Sequence, residues 1–137
     1  MARALRASVL RHPPGHIQRT AAYFLSLGHY DALIRRMGRA FHERRSVMET
    51  AIAETGLRIA GQGAFGGSSF WMQAPGHVDT DILAKRLLGD GVMIEPGRAF
   101  FSGTGRPKHY YRLAYSSIPA SRIPDGIARI KTAIDNF

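Results

Sequence analysis

The period of the apolar residues changes once, near residue 56, and that change bounds what the chain can fold into. Before it, Tyr30, Leu33, Ile34, Met37, Phe41, Met48 and Ile52 fall on one helical stripe flanked by Arg35, Arg36, Arg39, Glu43 and Arg45. This predicts one long amphipathic helix that ends near Gly56. After it, Leu57 and Ile59 alternate with Arg58 and Ala60, and Phe70 to Ala74 resume the two-residue period beyond a glycine-rich connection. A long helix that runs into strands is an α+β pattern.

The flanking segments extend it. His12-Pro13-Pro14-Gly15 cannot continue a helix, so a short one is expected just beyond, carrying Ile17, Ala21, Phe24 and Leu25 and ending at Gly28. Val78 and Asp79 have the pattern of a staple residue and an N-cap, with Leu83 placed to pack on Val78, so a helix is expected to run to about Leu88 and stop at Gly89. Val92 to Ile94 read as a short strand, Pro96-Gly97 as a tight turn, and YYRLAYS as a strand after a Gly/Pro loop. Ile123, Ile127, Ile130 and Ile134 close the chain as one helical stripe, with Pro124 in its first turn. The fold class is α+β: a small mixed or antiparallel sheet covered by helices and preceded by the long helix.

With 137 residues the chain has enough length for one core, and it has no cysteine for a disulfide, a thiolate metal site or a thiol nucleophile. No stretch reaches the ~18 apolar residues of a membrane span. Together with the lack of an apolar leader at the start, this sets the expectation of a cytoplasmic protein with no membrane partner. The net charge is +9, and residues 1 to 45 hold nine arginines against Asp31 and Glu43. Such a basic end suits nucleic acid phosphates or an acidic partner; it equally suits arginines solvating the outer faces of helices. A basic nucleic-acid-binding or protein-interaction module without catalysis is therefore the alternative reading.

Most catalytic motifs fail on context. Gly61 to Gly66 spells GxGxxG, but strand-like FWMQA follows where a dinucleotide site needs a helix N-terminus. Ser68 lacks the final glycine of a nucleophile elbow, and His42-Glu43 lacks the second histidine of a zinc helix. Asp79 and Asp81 stand at a helix start, where capping explains them better than paired-carboxylate chemistry. No catalytic, cofactor-binding or metal residue is assigned.

Arg112 is different. Its guanidinium can hold a carboxylate through two parallel hydrogen bonds, which lysine cannot reproduce. In YYRLAYS it shares a strand face with Tyr110 and Ala114, while Tyr111, Leu113 and Tyr115 point the other way. Spacing alone reads it as an exposed strand arginine.

The stretches GHYDALIRRMGRAFHERRSVMETAIAE, GGSSFWMQAP, LLGDGVMIEPGRAFF, YYRLAYSSI and GIARIKTAI resemble, in this order, the C-terminal small-domain part of class I/II, fold type I aminotransferases. The YDALIRRM and FHERR segments resemble most the aminotransferase-like domain of MocR-type regulators of the GntR family. The resemblance implies a domain division, with residues 1–28 as a leftover of the large domain and 29–137 as the small domain with its bridging helix. It implies that Arg112 clasps the α-carboxylate of an amino-acid ligand, and that Pro96-Gly97 and Gly66-Gly67 shape the cleft wall. His109 stands where the family often has asparagine. It implies pyridoxal phosphate as the cofactor of the full-length family. Yet Lys85, Lys108 and Lys131 do not match the cofactor lysine's motif, so this chain alone is expected to bind none and to be inactive, as a truncated domain. The implied partners are the amino-acid carboxylate, another copy or another aminotransferase chain, and DNA only through a winged-helix domain outside this sequence. Tyr23, Phe24 and Leu25 are expected to be left as an apolar patch.

Overall fold

The computed structural model describes residues 13–61 and 67–137, so residues 1–12 and most of the Gly61 to Gly66 motif, with Gly66 itself, lie outside the described residues. The chain divides into two units, one through Arg39 and one from Ala40. The first holds α1 (Gly15–Ser26) and the start of α2 (His29–Thr55). Gly28, at φ 74°, turns the chain between them. No side chain of α1 is buried: Tyr23 is 65 % exposed and Leu25 58 %.

The second unit begins inside α2, which ends at Gly56 in the left-handed conformation (φ 70°), as the glycine there predicts. Among the described residues four antiparallel strands follow in the spatial order β1 (Arg58–Ile59), β2 (Ser69–Gln73), β4 (Tyr110–Ala114), β3 (Glu95–Pro96). The α+β expectation holds, and the sheet is antiparallel throughout. Between β2 and β3 lies α3 (Thr80–Gly89), and α4 (Ile123–Asp135) closes the chain.

Side-chain alternation divides the sheet into two faces. Phe70, Met72, Tyr111 and Leu113 are buried together with Met48 and Ile52 of α2, Leu83 and Leu87 of α3, and the four predicted isoleucines of α4. Each of those isoleucines stabilises the fold by roughly 1.5–3 kcal/mol relative to an exposed position. Thr80, the one buried polar residue among the described residues, ties α3 to β4: its Oγ1 lies 2.8 Å from the Lys108 carbonyl oxygen and 2.9 Å from that of Tyr110, and its N–H also donates to Lys108.

Two expectations need correction. The strand placed at Val92 to Ile94 lies instead at Glu95–Pro96, because Val92 N–H donates back to the Leu87 carbonyl and so belongs to the turn that ends α3. The α3 helix stops at Gly89 as expected, and the left-handed residue of the turn beyond it is Gly91 (φ 74°). The stripe of α2 is buried only at its C-terminal end: Tyr30, Ile34 and Met37 are exposed, whereas Met48 and Ile52 are buried.

Candidate functional site

The outer face of the sheet carries the side chains that the core does not use. On β4 these are Tyr110 and Arg112; on β2 Trp71 stands directly opposite Arg112; on β3 Glu95 stands opposite it from the other side. Arg112 is thus flanked by an aromatic neighbour on one strand and an acid on the next, while Tyr111, Leu113 and Tyr115 point into the core as the alternation predicts.

The turn after β3 completes the face. Pro96 sits on the edge strand, where its missing N–H costs no ladder bond, and a short 3₁₀ turn, Gly97–Phe100, folds over the sheet rather than the tight two-residue turn expected. Gly97 is buried against the sheet: a Cβ there would lie 2.6 Å from the Tyr110 carbonyl oxygen and 2.8 Å from Cη2 of Trp71. That approach brings in Phe100 and Phe101. Trp71 meets Phe100 edge-on at 5.4 Å and Phe101 at 5.9 Å, and it stacks on Tyr110 at 5.9 Å with the planes 9° apart.

Arg112 lies at the border of this cluster, its guanidinium carbon 5.4 Å from the Phe100 centroid. Its Nε–H donates to Oε2 of Glu95, at 2.5 Å, and among the described residues nothing accepts a hydrogen bond from its two Nη atoms. The side chain is 41 % exposed. Chemically, this is a cation braced by an aromatic ring, held at one edge by an internal carboxylate and open at the other edge for a planar anion.

The other residues singled out from the sequence do not join this face. The Asp79 side chain caps α3 by accepting from the Asp81 N–H at 3.0 Å and pairs with Lys108 at 3.2 Å. Desolvation is the largest single influence and works against its ionisation, but the Lys108 hydrogen bond and charge together with the Asp81 and Ile82 backbone N–H groups outweigh it and hold the carboxyl below its ordinary value. Asp81 faces Arg98 at 3.8 Å. The Ser68 carbonyl accepts the Tyr115 N–H, and the Tyr115 hydroxyl donates to the Gly67 carbonyl, so this segment anchors the end of β4. Burial pushes the Tyr111 phenol up. His109 packs its ring 4.5 Å from Tyr110, near Arg112 in sequence but with no bond to it among the described residues. Of the three lysines, Lys108 is engaged by Asp79, Lys131 by Asp135, and Lys85 is exposed on the rim of a shallow groove of about 690 Å³ with Leu88 and Met93. None lies among groups that would cradle a phosphate or face a pyridine nitrogen. Among the described residues no cluster of histidine and carboxylates could hold a metal ion, and no helix is long and apolar enough to cross a membrane.

Sequence reasoning missed Glu95, Trp71, Phe100 and Phe101. Glu95 is 17 residues from Arg112, and only the β3–β4 register brings them together.

No family model matches the chain. It is 65 % identical, over 96 % of its length, to the HTH-type transcriptional regulator TauR of Rhodobacter capsulatus, covering 27 % of that protein. It is 26 % identical, over 74 % of its length, to the 2-aminoadipate transaminase of Thermus thermophilus, covering 25 % of it. Its fold matches that of LysN, the α-aminoadipate aminotransferase of Thermus thermophilus solved with N-(5'-phosphopyridoxyl)-L-leucine, at a TM-score of 0.80 and 25 % identity, over 98 % of this chain and 34 % of that one. The chain thus spans about a quarter of the length of these curated relatives.

Proposed function

We propose that this chain, which belongs to the aminotransferase-like domain of the MocR-type regulators, supplies that domain's carboxylate-binding wall, with Arg112 as the residue that holds an amino-acid ligand. The observation that carries the reading is the open Nη edge of Arg112, on a sheet face whose other edge contact, to Glu95, fixes the guanidinium. An arginine with both edges engaged would be a structural residue; one with a free, oriented edge is ready for a bidentate anion.

Residues 29–137 would act as the small domain, with α2 as its bridging helix, and residues 1–28 would belong with a large domain elsewhere in a longer protein. Pyridoxal phosphate, the cofactor this family implies, would supply the electron-accepting ring that activates a bound amino acid. The residues present here do not fit it: the lysines are engaged by carboxylates or exposed on a groove rim. Its anchoring therefore falls to the large domain, and this chain contributes ligand binding and orientation.

The test is a titration of the 137-residue chain with propionate, followed by the side-chain nitrogen resonances of labelled arginine. Arg112 should shift and saturate, and Arg112→Lys should weaken the binding because the planar fork is lost. An Arg112 signal that stays fixed, with shifts spread evenly over the other arginines, would refute the assignment.

A further inference from the structure

The Glu95 carboxylate is placed where a ligand's own anion would otherwise be attracted. It stands directly across the β3–β4 ladder from Arg112, bonds to Nε–H, and is itself about half exposed. Among the described residues it has no other ion-pair partner. The pair brings a full negative charge to one edge of a guanidinium whose other edge is open. A carboxylate on that open edge would lie roughly 6–7 Å from Glu95, close enough for the two like charges to interact through a half-solvated medium.

The other groups that form this face close to Arg112 are uncharged: Trp71, Phe100, Phe101 and Tyr110 make its aromatic floor. Among the described residues no second cation pairs with Glu95 to accept a further anion. The net charge of the Arg112–Glu95 pair is therefore zero. The pair binds a single carboxylate through geometry and itself offers a second negative group no net attraction, while Arg98 of the neighbouring turn faces Asp81.

We propose that Glu95 is a specificity-determining residue that restricts the Arg112 site to ligands with one anionic group and disfavours dianions. It acts in two ways: the Nε–H bond presents the Nη edge outward, and the charge discriminates. This inference rests on the assignment of Arg112 as the carboxylate-binding residue. It predicts ligands that combine one carboxylate with a neutral, apolar-tolerant body, since the remaining contacts on this face are aromatic.

Glu95→Gln separates the two roles, because glutamine keeps an oxygen to accept from Nε–H and removes the charge. The 137-residue chain and this variant are titrated with propionate, a monoanion, and glutarate, a dianion, at matched ionic strength, with the Arg112 side-chain resonances as the readout. The variant should bind propionate about threefold tighter than the parent and glutarate up to about tenfold tighter, and both gains should shrink toward unity at ~1 M salt. Because Glu95 sits half exposed on an edge strand, a backbone spectrum suffices to show that the variant is folded. Glu95→Ala provides the second check: it too should narrow the gap between the two anions.

Equal affinities in parent and variants, or equal gains for propionate and glutarate, would overturn the role of Glu95 while leaving Arg112 in place, provided that Arg112→Gln abolishes the titration. A titration that survives Arg112→Gln, or no titration at all, would overturn the Arg112 assignment and this inference with it.

Discussion

Gly97 offers the sharpest test of how the candidate site is built. An alanine there places a methyl carbon 2.6 Å from the Tyr110 carbonyl oxygen, where an ordinary contact begins at 3.4 Å, so the 3₁₀ turn and β4 must separate by about 0.8 Å. The obstructing atom is backbone in a paired strand and cannot rotate away, and the second obstruction, Cη2 of Trp71 at 2.8 Å, is locked between Phe100 and Tyr110. Overpacking of this kind costs about 1–3 kcal/mol, offset by ~0.4–1 kcal/mol from the lower chain entropy of unfolded alanine. Gly97→Ala should therefore destabilise the fold by about 1–2 kcal/mol, lowering Tm by roughly 3–10 °C. Urea titration with tryptophan emission measures this directly, because Trp71 is the sole tryptophan of the chain and reports the site as well as the unfolding. Gly126→Ala, inside α4 with open space at its Cβ, is the contrast and should stabilise by about 0.5–1 kcal/mol. If Gly97→Ala leaves both the urea midpoint and the Trp71 emission unchanged, the close packing of the turn on β2 and β4 is wrong, and so is the position of Phe100 beside Arg112.

Three further outcomes are expected. Thr80→Val keeps the volume but leaves the Tyr110 carbonyl without the threonine hydroxyl, and should cost about 1–3 kcal/mol in the same urea titration. Asp79 has a depressed folded-state pKa, so its charge-linked contribution is present above the ordinary carboxylate value and lost as pH falls through the lower folded value; Asp79→Asn should be less stable than the parent at neutral pH, and that difference should vanish on acidification well below the ordinary carboxylate range. Phe24→Glu together with Leu25→Glu, both exposed on α1, should reduce self-association seen by light scattering without lowering Tm; an unchanged particle size would show that this face is not adhesive.

How much of this could be read from the sequence depended on whether a feature is local. The α4 isoleucines recur at helical spacing, and all four are buried because a strong period of one residue type leaves one face to bury. Asp79 as a cap, Gly56 as a stop and the inward turn of Tyr111, Leu113 and Tyr115 are likewise settled within a few residues. The third strand was misplaced because Ile94 is buried without being paired, and an apolar run reports burial, not hydrogen bonding. Tyr30, Ile34 and Met37 continue the α2 stripe but remain exposed: amphipathicity marks a face suited to a partner and does not supply one. Arg112 was visible as a residue, and the family resemblance gives it a role; its surroundings were not visible. Glu95, Phe100 and Trp71 reach it only through antiparallel register and the approach of Gly97, both long-range features with no local signature.

The proposed role of Arg112, binding a carboxylate inside a larger aminotransferase-like domain, is tested most directly by a chimera. The chain would replace the matching segment of the Rhodobacter capsulatus regulator, to which it is 65 % identical over 132 residues, and amino-acid affinity would be measured by calorimetry with Arg112 intact and with Arg112→Lys. A charge-assisted hydrogen bond contributes roughly 1.5–3 kcal/mol, so loss of the bidentate geometry should weaken amino-acid binding by about 10- to 100-fold. With pyridoxal phosphate added to both, the visible absorbance should be the same for the two proteins. An affinity that is the same with lysine at position 112, in a chimera that binds amino acids and retains its cofactor, would contradict the account.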